Sequence, residues 1–196
     1  MRKILMAVMV MVSVFWFTSP KTASPTPLPL EIRDGGVMYY DPNLNITWLT
    51  EPNNTLLNWG QAMNWVSDLT VDGITGWRLP TTPGTTLGFT DEGEMGYLYY
   101  DELGNGPGGL SNKGPFTDLQ PVVYWYGTEF SPYPGIAWYF SFHYGHQWSV
   151  FESNLNYAWA VRPGDVTGVP EPSTMLLLGS GLIGLAGYGR KKFFRK

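Results

Sequence analysis

The chain has 196 residues and a mass of 22.0 kDa, room for one ordinary domain with extensions at its ends. Charged residues make up 14% and aromatic residues 16%, which excludes a disordered acidic tail and a coiled coil; the lack of Cys excludes a disulfide scaffold and thiol chemistry. Residues Pro25 to Pro172 hold only four of the twelve bases (Arg33, Arg78, Lys113 and Arg162) against all sixteen acids, a formal charge of −12, so clustered phosphate contacts and a nucleic-acid partner are excluded.

Met1-Arg2-Lys3 is a basic start, followed by fourteen uncharged, mostly apolar residues from Ile4 to Phe17. That length suits a signal-peptide core and is short of a membrane span of ~20 residues. The pattern predicts a signal peptide over residues 1–24, with small residues Thr22-Ala23-Ser24 at the cut; a retained anchor is the alternative. Residues 25–35 carry Pro25, Pro27 and Pro29, which predicts an extended linker. The folded body is expected over residues 36–165.

Within the body, Gly36 to Asp41 and Asn45 to Leu49 predict two strands around an Asp41-Pro42-Asn43 turn. Trp59, Ala62, Met63, Val66 and Leu69 recur at three- and four-residue steps, which predicts a helix over Asn58 to Leu69. Asn58, with Gln61 three residues on, reads as its capping box. A second helix is expected from Asp91 to Leu103, capped by Thr90, with Asp91, Glu92 and Glu94 at its positive end and Gly104 stopping it. Met95, Leu98 and Tyr99 give it an apolar stripe.

Gly104 to Phe116 reads as a long loop. Four strands follow: Val122–Tyr126, Ile136–Phe142, Gln147–Phe151 and Tyr157–Val161. On the second of these, Ile136, Trp138, Phe140 and Phe142 alternate onto a core face, and Ala137, Tyr139, Ser141 and His143 onto the opposite, outward one. Two helices followed by short antiparallel strands predict an α+β fold. Trp77, Leu79, Trp125, Trp138 and Trp159 are expected in the core, and Arg78 and Arg162 are expected to pair with carboxylates.

The C-terminal part reads in three pieces. Val169-Pro170-Glu171-Pro172 closes a linker over residues 166–173. Thr174 to Gly189 is sixteen residues without a charge. As a helix it would span roughly 24 Å against a ~30 Å hydrocarbon core. Residues 190–196 are a basic tail in which Arg190, Lys191 and Lys192 act as the membrane stop and fix the tail inside.

These three pieces resemble a PEP-CTERM sorting signal in order and spacing over Val169 to Lys196. The resemblance implies a C-terminal transmembrane helix that occupies the inner membrane transiently, and an exosortase as processing partner. It further implies a Gram-negative bacterium that makes exopolysaccharide, with the product on the outer surface or in the extracellular matrix. The body, through Trp77-Arg78-Leu79-Pro80-Thr81, Gly127-Thr128-Glu129 and Ala158-Trp159-Ala160-Val161-Arg162-Pro163-Gly164, resembles the Lcl C-terminal-domain-like family. That resemblance implies a C-type-lectin-like fold and a surface location, with no settled ligand. Formylglycine-generating enzymes share the fold, but their cysteine chemistry is excluded here.

No catalytic residue, metal or cofactor is expected. Glu51-Pro52-Asn53 matches a sugar-binding triplet of calcium-dependent lectins but precedes the first helix, so it reads as a turn. His143-Tyr144-Gly145-His146 reads as a hairpin tip, since two His without a third ligand fall short of a zinc set. No Gly-x-Ser-x-Gly elbow, phosphate loop or His-Glu-x-x-His motif is present. Three function classes stand. The first is a non-enzymatic protein that binds extracellular polysaccharide or contributes to a biofilm matrix, with Tyr139 and His143 as contacts. The second is a purely structural envelope protein. The third is a polysaccharide hydrolase, for which Glu129 with Glu152 or Asp118 are the nominated carboxylates.

Overall fold

The computed structural model describes residues 26–166 and Ser180. The expected signal peptide, the motif Val169–Pro172, the span 174–189 apart from Ser180, and the stop Arg190–Lys192 lie outside the described residues. Among those described, no helix is long and apolar enough to cross a membrane.

Two sheets and two helices form the body. The first sheet has strand order β1-β2-β3-β10, built from β1 (Glu31–Arg33), β2 (Met38–Asp41), β3 (Ile46–Leu49) and β10 (Val161–Pro163). All its pairs are antiparallel, and Val161 lies opposite Trp48. The second sheet has order β4-β9-β6-β7-β8-β5. Its strands are β4 (Asn53–Leu57), β5 (Gly88–Phe89), β6 (Val123–Glu129), β7 (Ile136–Ser141), β8 (His146–Phe151) and β9 (Asn156–Ala158). Only the β6–β9 pair is parallel.

Helix α1 (Trp59–Asp68) starts on a complete capping box: the Asn58 side chain accepts from Gln61 N, and the Gln61 side chain accepts from Asn58 N. Ala62 and Val66 are buried, with Trp59, Met63 and Leu69 half-buried beside them. The second helix starts later than expected. Helix α2 (Gly93–Tyr97) runs into a π-helical turn (Leu98–Glu102), and Gly104 follows with φ +63°. Thr90 does not cap it; the Thr90 hydroxyl accepts from Glu92 N, ahead of the helix. Glu92 and Glu94 are engaged elsewhere, and the left-handed φ of +80° at Gly93 marks the break.

Other elements pack on both faces of the six-stranded sheet, on the second face only over its β4–β9–β6 half. On one face, Met95, Leu98 and Tyr99 from the second helix meet Phe140, Phe142, Tyr124, Trp48 and Trp159 in the main core. On the other, α1 packs on β4, β9 and β6 over Trp125, Ala137, Ala158 and Trp77. Ala137 is therefore buried, and the β7 face expected to point outward is covered over part of its length; Ser141 on that face is buried as well. Trp77, Leu79, Trp125, Trp138 and Trp159 are all core residues, as their sequence context predicts.

Two further differences have local causes. The expected strand Tyr157–Val161 divides into β9 and β10, because Trp159 turns into the core and its Nε1 donates to Leu49 O at 2.6 Å. Packed structure also begins upstream of residue 36, inside the expected linker. Strand β1 pairs with β2, and Leu28 and Asn43 exchange two hydrogen bonds. Arg33 forms a two-pronged ion pair with Asp165 (2.7 and 2.8 Å) and bonds Glu31, so the start of the body is tied to its end.

Candidate functional site

Sheet width creates the site. Six strands spaced at ~4.8 Å make a face wider than one helix of ~10 Å can cover. Helix α1 takes the β4–β9–β6 half. The β7–β8–β5 half of the same face carries Tyr139, Trp148, His146 and Phe89, placed together by cross-strand register. Tyr139 lies opposite Trp148, and Phe89 opposite His146. Phe89 is 61% exposed, Tyr144 53% and Trp148 47%. Tyr139 is half-buried at the border with the α1 core.

The rings form a connected group around His146. Tyr144 stacks on it nearly parallel, at 5.4 Å between centroids and 6° between planes. Phe89 meets it edge-on at 5.9 Å, and Tyr139 lies at 6.3 Å. His143 in turn sits edge-on to Tyr144 at 4.4 Å. Both contact residues expected from sequence, Tyr139 and His143, thus belong to one group, joined through His146 and Tyr144. Burial lowers the His146 pKa from its ordinary value, so the imidazole is neutral near pH 7 and offers one donor and one acceptor. Sequence reasoning missed Trp148, His146 and Phe89. Alternation along β8 was a signal for the first two; Phe89 becomes visible only when β5 is paired.

The floor of the group is polar and fully bonded. Gln147, on the reverse face of β8, is buried; its Nε2 donates to Thr86 O and to Glu92 Oε2, each at 2.6 Å, and its Oε1 accepts from Thr82 Oγ1 at 3.0 Å. Glu92 also accepts from Thr85 N, the Thr85 hydroxyl and Thr86 N. Burial pushes the Glu92 carboxyl up, but these hydrogen bonds outweigh it and the net shift is downward. Gln147→Ala should cost about 2 kcal/mol, because it takes one donor from the half-buried Glu92 carboxylate and leaves the buried Thr82 hydroxyl without its acceptor. Urea melts read the loss; a change within error would show that the clamp is not a stabilising element.

The remaining expected residues are dispersed. Arg78 holds Glu94 through two bonds of 2.6 and 2.7 Å, a structural pairing as expected. Arg162 differs: its Nε donates to Thr75 O, a backbone carbonyl. Glu129 and Asp118 are exposed and Glu152 is half-buried, and no side-chain bond joins them among the described residues. Glu51 and Asn53 line a cleft of about 670 Å³ with Asn54 and Trp65; Pro52 between them is buried and Asn53 opens β4. His143 and His146 bracket a hairpin tip in which Gly145 has φ +78°. Among the described residues, no group of three or more His, Cys, Asp or Glu is arranged to hold a metal ion.

Two neighbouring carboxyls, Asp41 and Glu102, have raised pKa values. Asp41 is buried and accepts from Asn43 N and Leu44 N, closing the β2–β3 turn; burial raises its pKa. Asn43 also donates to Glu102 Oε1 at 2.6 Å. Burial first, then the neighbouring Asp41 charge, pushes Glu102 from 4.5 up to about 7. A raised carboxyl favours the fold below its unfolded value and loses that support as pH rises through its folded one. Stability should therefore fall between roughly pH 4.5 and 7, by about 2 kcal/mol after solvent screening. Glu102→Gln keeps an acceptor for Asn43 and removes the charge. It should raise Tm at pH 7.5 by roughly 3–6 °C and flatten the pH profile. A lower Tm at that pH would refute the assignment.

Fold and site together define a sheet-rich α+β protein with an aromatic group exposed on one sheet face. Residues 168–191 match the family described as the PEP-CTERM protein-sorting motif. The chain thus carries this motif, which indicates exosortase-dependent sorting of a membrane-anchored precursor to the cell exterior. The match lies wholly C-terminal to the described body. No curated protein matches the chain.

Proposed function

We propose that this is a non-enzymatic surface or matrix protein whose body binds extracellular polysaccharide after exosortase processing. The observation that carries the reading is the exposed ring group of Phe89, Tyr144 and Trp148 on a chain addressed to the exterior. Aromatic side chains combine a large apolar face with polar edges, which suits amphipathic ligands such as sugars. The resemblance to an Lcl C-terminal-domain-like, C-type-lectin-like body fits the reading. In support, β10 returns to pair with β3, and two helices and the long loop lie between them in sequence. The setting we propose is the surface or matrix of a Gram-negative bacterium.

The test uses the exported protein purified from an exosortase-positive host. Calorimetry and a glycan array are expected to show polysaccharide binding without release of reducing sugar. Sugar release would replace the reading with a hydrolase. A folded protein that binds no glycan would replace it with a structural envelope component.

A further inference from the structure

We propose that the aromatic strip on β7, β8 and β5 is the polysaccharide site, and that the polymer it takes is uncharged and built of pyranose rings with exposed C–H faces. The proposal rests on the polysaccharide reading above and adds the site and the class of polymer.

Shape is the first support. The rings span three adjacent strands, roughly 10 Å across. Along β8, His146 and Trp148 are two residues apart on one face, roughly 7 Å. The strip is therefore wider than a single pyranose and suits a chain rather than a monosaccharide. At its β5 end, Phe89 also lines a cleft of about 330 Å³ with Thr90, Asp91, Tyr100 and Pro107. The cleft supplies what stacked rings lack: a carboxylate and a hydroxyl that can bond sugar hydroxyls at the edge of the strip.

Rigidity is the second support. Gln147 fixes β8 from beneath, as described above. The hairpin tip that carries Tyr144 is held from two sides: the Tyr100 hydroxyl donates to Gly145 O, and Gly108 N donates to Tyr144 O at 2.9 Å. Gly145 itself packs so closely on Tyr99 that an added Cβ would lie 2.7 Å from the ring. Rings already held in place lose little freedom on binding, which lowers the cost of association.

Charge selects the polymer. Arg33 is held by Glu31 and Asp165, and Arg78 by Glu94. Lys113 donates to Thr117 O and Arg162 to Thr75 O. None of the body's four bases joins the strip, and the nearest charge in the adjoining cleft is the acid Asp91. With four bases against fifteen acids, the body repels a polyanion, and by the same token repels a second copy of itself. An uncharged glycan avoids both penalties.

The experiment uses the exported protein and affinity electrophoresis in gels containing mixed-linkage β-glucan, with polygalacturonate gels as the anionic comparison and calorimetry on cello-oligosaccharides. The β-glucan is expected to retard the wild type, and polygalacturonate is not. Trp148→Ala should weaken binding at least tenfold and Phe89→Ala several-fold, with Tm unchanged because both side chains are exposed. Phe151→Ala, which removes an equally exposed ring from the reverse face of β8, should bind like wild type. Glycan binding that survives Trp148→Ala and Phe89→Ala would overturn the strip and leave the polysaccharide reading standing. Retention only by polygalacturonate would overturn the uncharged class. A wild type that binds no polymer would overturn both. So would a dimer in sedimentation that Trp148→Ala dissociates, since a second copy would then cover the strip.

Discussion

Trp159→Ala should remove about 4–5 kcal/mol of stability, the largest single-residue effect in the body. The indole is fully buried where the two sheets meet. It lies 4.8 Å from Trp48, 5.0 Å from Phe116 and 5.9 Å from Phe142, centroid to centroid, and its Nε1 donates to Leu49 O. Truncation opens a cavity that these rings cannot close, since each is held by further ring contacts. It also leaves a backbone carbonyl of β3 without its partner. A domain of this size is stable by roughly 5–15 kcal/mol, so Tm should fall by about 10–15 °C, or the protein should fail to accumulate. Trp159→Phe keeps most of the apolar contact and loses only volume and the hydrogen bond; about 2 kcal/mol is expected. Paired thermal and urea melts decide. A loss below about 1 kcal/mol for Trp159→Ala would mean that stability resides elsewhere than in this aromatic core.

Local signals in the sequence carried well into the structure where the partner is local. Asn58 and Gln61 find each other across three residues, so the start of α1 was legible. Alternation in β7 identified Trp138, Phe140 and Phe142 as core, for the same reason. The second helix was legible in its stripe of Met95, Leu98 and Tyr99 but not in its start. Glu92 and Glu94 looked like residues serving a helix end, yet Glu92 bonds Gln147 on β8 and Glu94 bonds Arg78, contacts that span 55 and 16 residues. The same limit applies to the site. Tyr139 was nominated from strand alternation alone. That it shares a face with Trp148, His146 and Phe89 depends on strand order, and a two-residue strand such as β5 leaves almost no trace in sequence. Coverage by α1 also had to be seen before the exposed half of the face could be told from the buried half. The C-terminal segment is the opposite case, because its signal is an ordered set of residue types that needs no packing to be read.

The second large effect concerns that segment. Changing Glu171→Ala together with Pro172→Ala should abolish C-terminal processing of the exported chain. Proline removes a backbone donor and disfavours helix in the residue before it, so Pro170 and Pro172 should keep the chain extended ahead of the apolar stretch. On that expectation Glu171 between them should be presented as a charged handle at the membrane surface, and the basic residues from Arg190 onward should fix the direction of insertion. The apolar stretch is short and contains five glycines, so it should hold the membrane only weakly without its basic stop. In an exosortase-positive host, mass spectrometry of the exported wild type should find a C-terminus at or near the triplet. The double variant should keep the chain through Lys196 and remain in the membrane fraction. Because the substitutions lie beyond the described body, its melting temperature should not change, which separates a processing defect from misfolding. A wild type still ending at Lys196 would show that the apolar segment is a permanent anchor, and a double variant processed like wild type would show that the triplet is not the recognition element.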